Sequence, residues 1–341
     1  MATAEKNSLD LLRLMAATFV LYSHQHALLG QPEPLFFGWT TFGGAGVTIF
    51  FFLSGMLVWT SWVRDPHWGR FFMRRSLRIF PALWVVVLGT VFVLGPMFST
   101  LSVADYFADQ ETWRYLSTAM MLIRHTLPGV FSDNPFPQAV NGSLWTLPVE
   151  FLCYISVAVL GSVKFMPKGV AMALCLLLTV LLASLGPQVV GARFSLHFEM
   201  VAMFWMGAMY GYCQQRPWDT GPTAWLTLAI GLTALLAFLA LGPRGAERTA
   251  MLMAAAGLVH LALRVSAGAK LTDRTGDLSY GVYIFAFPVQ QMLAYVSQGR
   301  GWSFGASLAL SLLATGALAF ASWHLVEKQA LRFKPRGRVT S

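Results

Sequence analysis

Charge is scarce in this chain. Lysine, arginine, aspartate and glutamate make up 11% of its 341 residues, where a water-soluble domain carries about 25%. That shortage excludes an ordinary solvated surface. Cysteine is scarcer still, at three. Cys153, Cys175 and Cys213 stand in apolar stretches without pairable or metal-ligand spacing, so buried structural thiols are expected and no metal site. Ten-residue segments of alternating hydrophobicity are missing too, which argues against a membrane β-barrel. No cleavable signal peptide is expected. The first apolar run begins at about residue 8 and is too long for a signal h-region, so it reads as a retained span.

What is present is hydrophobic. Such residues make up 56% of the chain, and they fall in runs of about 20 separated by short charged punctuation, the pattern of transmembrane helices. Ten spans are expected, at 8–29, 42–62, 79–98, 143–162, 169–186, 195–214, 222–241, 248–266, 278–298 and 303–324. The fold class that follows is an all-α integral membrane protein of about ten transmembrane helices. It forms a single domain over 1–341, with a core at about 8–326 and a basic tail at 327–341. The apolar stretch 113–124 is short and reads as a partly buried or interfacial helix.

The net charge is +9, but the basic residues sit in the connections and the tail, so no nucleic-acid partner is expected. With a cytoplasmic N-terminus, the inside segments hold 18 of the 24 Lys and Arg and the outside segments 6. This asymmetry places both termini inside. The longest connection, about 99–142, is then external, and a loop of that length reads as a possible lid.

An ionisable group at the centre of a span costs at least about 2.5–3.5 kcal/mol on insertion scales, so such residues are functional candidates. Arg13 and His24 lie eleven residues apart in the first span. Eleven residues are almost three whole turns, about 16 Å, so both face one way. An imidazole there can serve as a general base. The bland alternative has Arg13 snorkelling to headgroups and His24 packing a helix contact. His26 falls nearer the outer interface. Glu150 enters the fourth span about two turns from Ser143, roughly 10 Å deep, which is the depth inferred for His24. A carboxylate there would orient the imidazole and raise its basicity, with Pro148 breaking the helix just before it. The alternative is a packing pair with an arginine. His197 and Glu199 in the sixth span read equally well as an interfacial pair. His260 and Arg264, at i and i+4, read as a structural edge.

The connection RDPHWGRFFMRRSLRIFPALW is the strongest basic feature. Arg75 and Arg78 are three apart and share a helix face, next to Arg74. Arginine forks suit phosphates, so a phosphate-bearing donor can dock there. An amphipathic helix lying on anionic lipid fits the composition equally well.

Taken in order, these segments resemble the membrane-bound acyltransferase-3 family, the integral-membrane O-acyltransferases of bacteria. Arg13 and His24 match its Arg-x10-His signature. GAGVTIFFFLSGMLVW resembles its phenylalanine-rich second span, ending here in Ser54 and Gly55. RRSLRIFPALW resembles its Arg-x-x-Arg motif with Pro81 and Trp84. NGSLWTLPVEF carries Ser143, Leu144, Trp145 and Glu150. GDLSYGVYIFAFPV and SWHLVEKQALRF, with Glu327 and Lys328, complete the set over residues 8–334. One departure is visible. Many members carry histidine in the ninth span, where this chain reads Phe285, Ala286 and Phe287.

The resemblance implies transfer of an acyl group, usually acetyl from acetyl-CoA, to a hydroxyl of an extracytoplasmic or lipid-linked glycan such as an exopolysaccharide, capsule or O-antigen. The setting is the bacterial inner membrane, with acyl-CoA as co-substrate and no tightly bound cofactor. Expected catalytic residues are His24, Glu150 and Arg13. Arg75, Arg78 and Arg74 are expected to bind the donor. Ser143, Trp145, Glu199 and Tyr154 are expected to support the substrate. Three rivals stay open: a proton-coupled transporter or flippase using the intramembrane His and Glu, an acyltransferase with a small non-glycan acceptor, and a non-catalytic scaffold. The chain shows no internal repeat of the transporter kind.

Overall fold

The computed structural model describes residues 7–335 except 138, 190–191, 216–220, 242–244, 267–271 and 273–274, and the side chains of 185–195 and 241 are likewise outside the description. Of the basic residues used for orientation, Lys6, Arg193, Arg216, Arg244, Lys270, Arg274, Arg336 and Arg338 therefore lie outside the described side chains, as does the end of the expected tail.

Ten long helices coincide with the ten expected runs among the described residues. They are α1 (Leu9–Leu28), α2 (Phe42–Arg64), α3 (Trp68–Gly89), α4 (Thr146–Ser162), α5 (Lys168–Val189), α6 (Ala192–Gln214), α7 (Pro222–Leu241), α8 (Gly245–Arg264), α9 (Ser279–Ser297) and α10 (Phe304–Ser322). Six described segments are long and apolar enough to cross a bilayer unaided: Phe42–Arg64, Trp68–Phe98, Gly142–Ser162, Pro222–Ala240, Gly245–Arg264 and Phe304–Phe333. The chain is a multi-pass helical membrane protein. Extended structure among the described residues amounts to a two-stranded hairpin, β1 (Leu35–Phe36) and β2 (Thr40–Thr41), and an isolated antiparallel bridge between Ser99 and Val130.

Several local features differ in detail from the sequence expectation. The third span does not begin at 79. Its helix starts at Trp68, where the His67 ring caps the Arg70 amide, so Arg70 to Arg78 ride the first turns of the span itself rather than a separate surface helix. Pro148 does not break α4. It sits in the first turn, where the missing N–H has no intrahelical acceptor to lose, and the irregular part is the preceding 3-10 turn, Gly142–Trp145. Cys153 is buried, but Cys213 is exposed. The stretch near 113–124 forms two short helical pieces, Gln110–Arg114 and Tyr115–Met120.

Glycine lets the helices approach closely. A Cβ on Gly55 would overlap the Phe204 carbonyl, and one on Gly207 would overlap the Phe52 carbonyl, so α2 and α6 meet backbone to backbone. Small residues play this part in bilayers, where lipid tails are as apolar as leucine and packing must bring helices together. Side-chain hydrogen bonds add to it. Gln25 donates to Ser307 (3.0 Å) and accepts from Gln290 (2.8 Å) and Ser311 (2.9 Å), which ties α1, α9 and α10 near one end. That end is covered by the segment 99–141. Gln291 donates to the carbonyls of Phe136 and Ala139, both at 2.7 Å, and Asn141 donates to that of Ile284 (2.9 Å). We call this the loop end. The arginines of α3 mark the opposite, arginine end.

Gly55→Ala should lower the thermal midpoint of the detergent-solubilised protein by the equivalent of about 1–3 kcal/mol, the cost of overpacking. Gly316→Ala, whose added Cβ meets nothing within 4 Å, should leave it unchanged. Equal midpoints for the two variants would refute the close-packing account.

Candidate active site

A cavity of about 730 Å³ penetrates the bundle between α1, α2, α3, α4, α9 and the chain after α10. Its depth can be read along α2. Lining residues run from Arg64 to Val47, seventeen positions or about 25 Å of helix. The mouth therefore lies at the arginine end and the inner end toward the loops.

The mouth is strongly basic, and most of its cations are held. Asp65 takes Arg70 at 2.6 Å and Arg74 at 2.7 Å. Hydrogen bonds from these two guanidiniums, against the opposing effect of burial, hold its carboxyl well below the usual range. Asp277 lies between Arg78, in close contact, and Arg13 at 3.4 Å. Burial alone would raise the Asp277 carboxyl, but the Arg78 and Arg13 charges and the bonds from Ser279 lower it to about 2. Arg13 also meets Asp10 at 3.1 Å, and Arg78 meets Glu327 at 4.0 Å. A π-turn at Trp323–Glu327 ends α10 and brings this carboxylate in, with the Trp323 ring 5.9 Å from the Arg78 guanidinium.

Arg75 differs. It donates to Ser61 at 3.2 Å and stacks over the rings of Phe71 and Tyr154, at 6.0 and 5.9 Å, with no ion-pair partner among the described residues. Arg64 and Lys334 border the same mouth. Burial, and then Arg75, Arg74 and Arg78, lower the Lys334 ammonium, which marks a concentrated positive field.

At the inner end, Glu150 Oε1 accepts from Tyr154 at 2.6 Å and from Ser54 at 2.9 Å. Beyond it Tyr283 donates to the Ser143 carbonyl (2.9 Å) and shares a hydrogen bond with Thr146 (2.7 Å). His24 does not line the cavity. Its ring packs edge-on against Phe287, with centroids 5.1 Å apart, and its Nδ1 is buried without a hydrogen-bond partner among the described residues. Phe287 is one turn beyond Tyr283 on α9, so the Tyr283–Thr146 pair stands between the cavity and His24.

The expected Glu150–His24 pairing is therefore corrected. Ser23, next to His24, packs on Gly43, whereas Glu150 bonds Ser54, eleven positions further along α2. The two groups are separated by about 16 Å of helix axis. Glu150 therefore lies deeper from the loop end than His24, although its distance from Ser143 along α4 suggests equal depth.

The cavity thus gathers Arg13, Arg74, Arg75, Arg78, Glu150 and Tyr154. It does not gather the others. Ser143 is buried with its hydroxyl unpartnered among the described residues, Trp145 packs against His197 (5.2 Å), and Glu199 pairs with Arg248 (3.0 Å). His26 packs on Phe304 (4.3 Å), and His260 takes a hydrogen bond with Tyr210 (2.8 Å). Sequence reading missed Asp65, Asp277, Tyr283, Arg64 and Lys334. Asp277 carried a signal, since it is an acidic residue at the foot of a span in a chain with few acids.

Comparison with known proteins decides the family. The profile of a family described as an acyltransferase domain matches residues 6–326. The chain belongs to the acyltransferase-3 family. This acyltransferase-family chain is 34% identical over 334 residues to a protein named O-acetyl transferase of Shigella phage Sf6, with 96% of each chain covered. It is 28% identical to Nodulation protein 10 of Rhizobium leguminosarum bv. viciae, over 98% of this chain and 95% of that one. It is 25% identical to the exopolysaccharide production protein ExoZ of Rhizobium meliloti (strain 1021), over 88% and 93%. No solved structure matches it.

Asp277→Asn should destabilise the protein by roughly 3 kcal/mol at pH 7, because two largely buried guanidiniums lose their shared counter-charge. The sign with pH follows from its lowered pKa. The wild-type contribution is full above the ordinary aspartate value near 4 and is lost as pH falls toward about 2. Melting curves at pH 7, 4 and 2.5 should show the gap between wild type and Asn closing with acid, and a constant gap would contradict the ion-pair role.

Proposed function

We propose that this protein transfers an acyl group, acetyl in the first instance, from acyl-CoA at the arginine end to a glycan hydroxyl at the loop end. The arginine end is cytoplasmic, both termini lie on that side, and the bilayer is a bacterial inner membrane. The observation that carries this reading is the cavity: it opens among cations and runs along α2 toward His24. The names of the relatives, an O-acetyl transferase and an exopolysaccharide production protein, support the acetyl group and the polysaccharide acceptor.

Each end suits a different part of the reaction. Arg75, with no carboxylate partner among the described residues, meets the CoA phosphates together with Arg64 and Lys334. Arg74 and Arg78, oriented by Asp65 and Asp277, keep further N–H groups toward the mouth. Arg13 flanks the pantetheine arm, and Glu150 with Tyr154 lines its inner course. The thioester then passes the Tyr283–Thr146 pair, which requires the Tyr283 side chain to turn aside. At His24 the imidazole takes the proton of the acceptor hydroxyl. The alkoxide oxygen attacks the thioester carbon, an ester bond forms, the C–S bond breaks, and the CoA thiolate recovers the proton. Ser143, Trp145 and Glu199 support the helix ends around the acceptor side.

Membranes containing the wild-type protein should move label from acetyl-CoA to native glycan. His24→Ala should reduce this about 10²–10⁴-fold at equal expression, the usual worth of general-base assistance. Full activity in a well-inserted His24→Ala protein would remove His24 from the mechanism. Arg75→Ala should raise the apparent KM for acetyl-CoA about tenfold or more, with a smaller effect on kcat, as expected for a lost charge-assisted phosphate contact. An unchanged KM would argue against docking at this mouth.

A further inference from the structure

The cavity is crowded with charge at its mouth and nearly free of it at its inner end. At the mouth Arg13, Arg64, Arg74, Arg75, Arg78 and Lys334 stand against Asp10, Asp65 and Asp277, and Glu327, buried behind Arg78, adds a fourth carboxyl. Among the described residues Glu150 is the one charged side chain that lines the inner end. Arg13 and Arg78 are already engaged by Asp277, so neither presents an uncompensated charge to a second anion.

Glu150 is the acid placed deepest. Its Oε1 is filled by two hydroxyl donors, Tyr154 and Ser54. The Glu150 side chain lines the cavity and makes no ion pair among the described residues. The nearest cation without an ion-pair partner among the described residues, Arg75, stacks on the Tyr154 ring and is bonded to Ser61, within electrostatic reach of Glu150 but not paired with it. Ser61 is seven positions along α2 from Ser54, about 10 Å toward the mouth. The remaining inner wall is Val47, Phe50, Leu147 and the Thr146–Tyr283 hydroxyl pair. A group that reaches this region meets apolar surface, hydroxyls and one carboxylate side chain.

We propose that Glu150, held by Ser54 and Tyr154 at the inner end of the cavity, selects the acyl group by charge, admitting short uncharged chains and rejecting chains that end in a carboxylate. This rests on the donor reading above and extends it to the identity of the group transferred. The polyanionic nucleotide stays at the basic mouth, and the arm that enters must be neutral at its tip. A terminal carboxylate about 6 Å from Glu150, at an effective dielectric near 20, would be disfavoured roughly 10²-fold.

The test uses the full chain in detergent or nanodiscs and two isosteric donors, succinyl-CoA and its uncharged amide, succinamoyl-CoA, with acetyl-CoA as reference. Displacement of labelled CoA reads binding without any need for transfer. The wild type should bind the amide about 10²-fold more tightly than the acid, and Glu150→Gln should narrow that ratio to tenfold or less. Equal wild-type binding of acid and amide would overturn the proposal, as would an undiminished ratio in a folded Glu150→Gln protein. Where Glu150→Gln does not fold, the wild-type pair decides by itself, since the two donors match in size and only one carries a charge at its tip. The two readings fail separately. Transfer from acid and amide at equal rates overturns charge selection and leaves the acyltransferase reading intact. A preserved binding preference without transfer from any donor supports selection and removes the acyltransferase reading.

Discussion

Asp277 holds the arginine end of the bundle together. Its carboxylate joins Arg13 of α1 to Arg78 of α3 at the foot of α9, and Arg78 reaches on to Glu327 beyond α10. Four segments distant in sequence are fixed by one cluster of charge. Charged side chains within a bilayer are tolerated where they pair with one another or face a water-filled space, and here they do both. The pairing also shapes function. With Asp65 and Asp277 taken up by Arg70, Arg74, Arg13 and Arg78, the cations left to meet an anionic ligand are Arg75, Arg64 and Lys334 among the described residues.

Elsewhere the same bundle closes tightly. Gly55 and Gly207 bring α2 and α6 into backbone contact, and Gln25 links α1 to α9 and α10 through neutral hydrogen bonds. Helix α1 is thus pinned twice, by charge around Arg13 and by amide and hydroxyl groups around Gln25. Its Arg13-to-His24 separation becomes a rigid spacer between a basic cavity and an imidazole near the loop end. The Tyr283–Thr146 pair lies within that span. A barrier at this level keeps the two sides of the bundle from being continuous, which suits a protein that passes a small group and not a nucleotide.

Much of this was legible in the chain. Ten long helices among the described residues overlap the apolar runs, and six described segments are long and apolar enough to cross a bilayer, where a backbone must satisfy its own hydrogen bonds. The motif order was legible also, and the family profile spans residues 6–326. Single-helix geometry survived too, in the grouping of Arg74, Arg75 and Arg78 on one cavity. Errors arose wherever two helices had to be set against each other. Depth counted inward on each helix separately puts Glu150 beside His24, but the Gly43–Ser23 and Ser54–Glu150 contacts set them about 16 Å apart. Within a single helix, Pro148 in the sequence suggests a break, but its place in the first turn of α4 makes it harmless.

The sequence by itself determined that this is a helical membrane protein, which end of the bundle is basic, and which few ionisable residues stand inside the spans, since these follow from the cost of polar groups in hydrocarbon and from helical periodicity. The tertiary structure alone decided which charges cancel and which remain. Pairing depends on distances between helices hundreds of residues apart: Arg13 with Asp277, Arg78 with Glu327. The same geometry left Arg75 without an ion-pair partner at the mouth, among the described residues, and turned Glu150 away from His24 into the cavity wall.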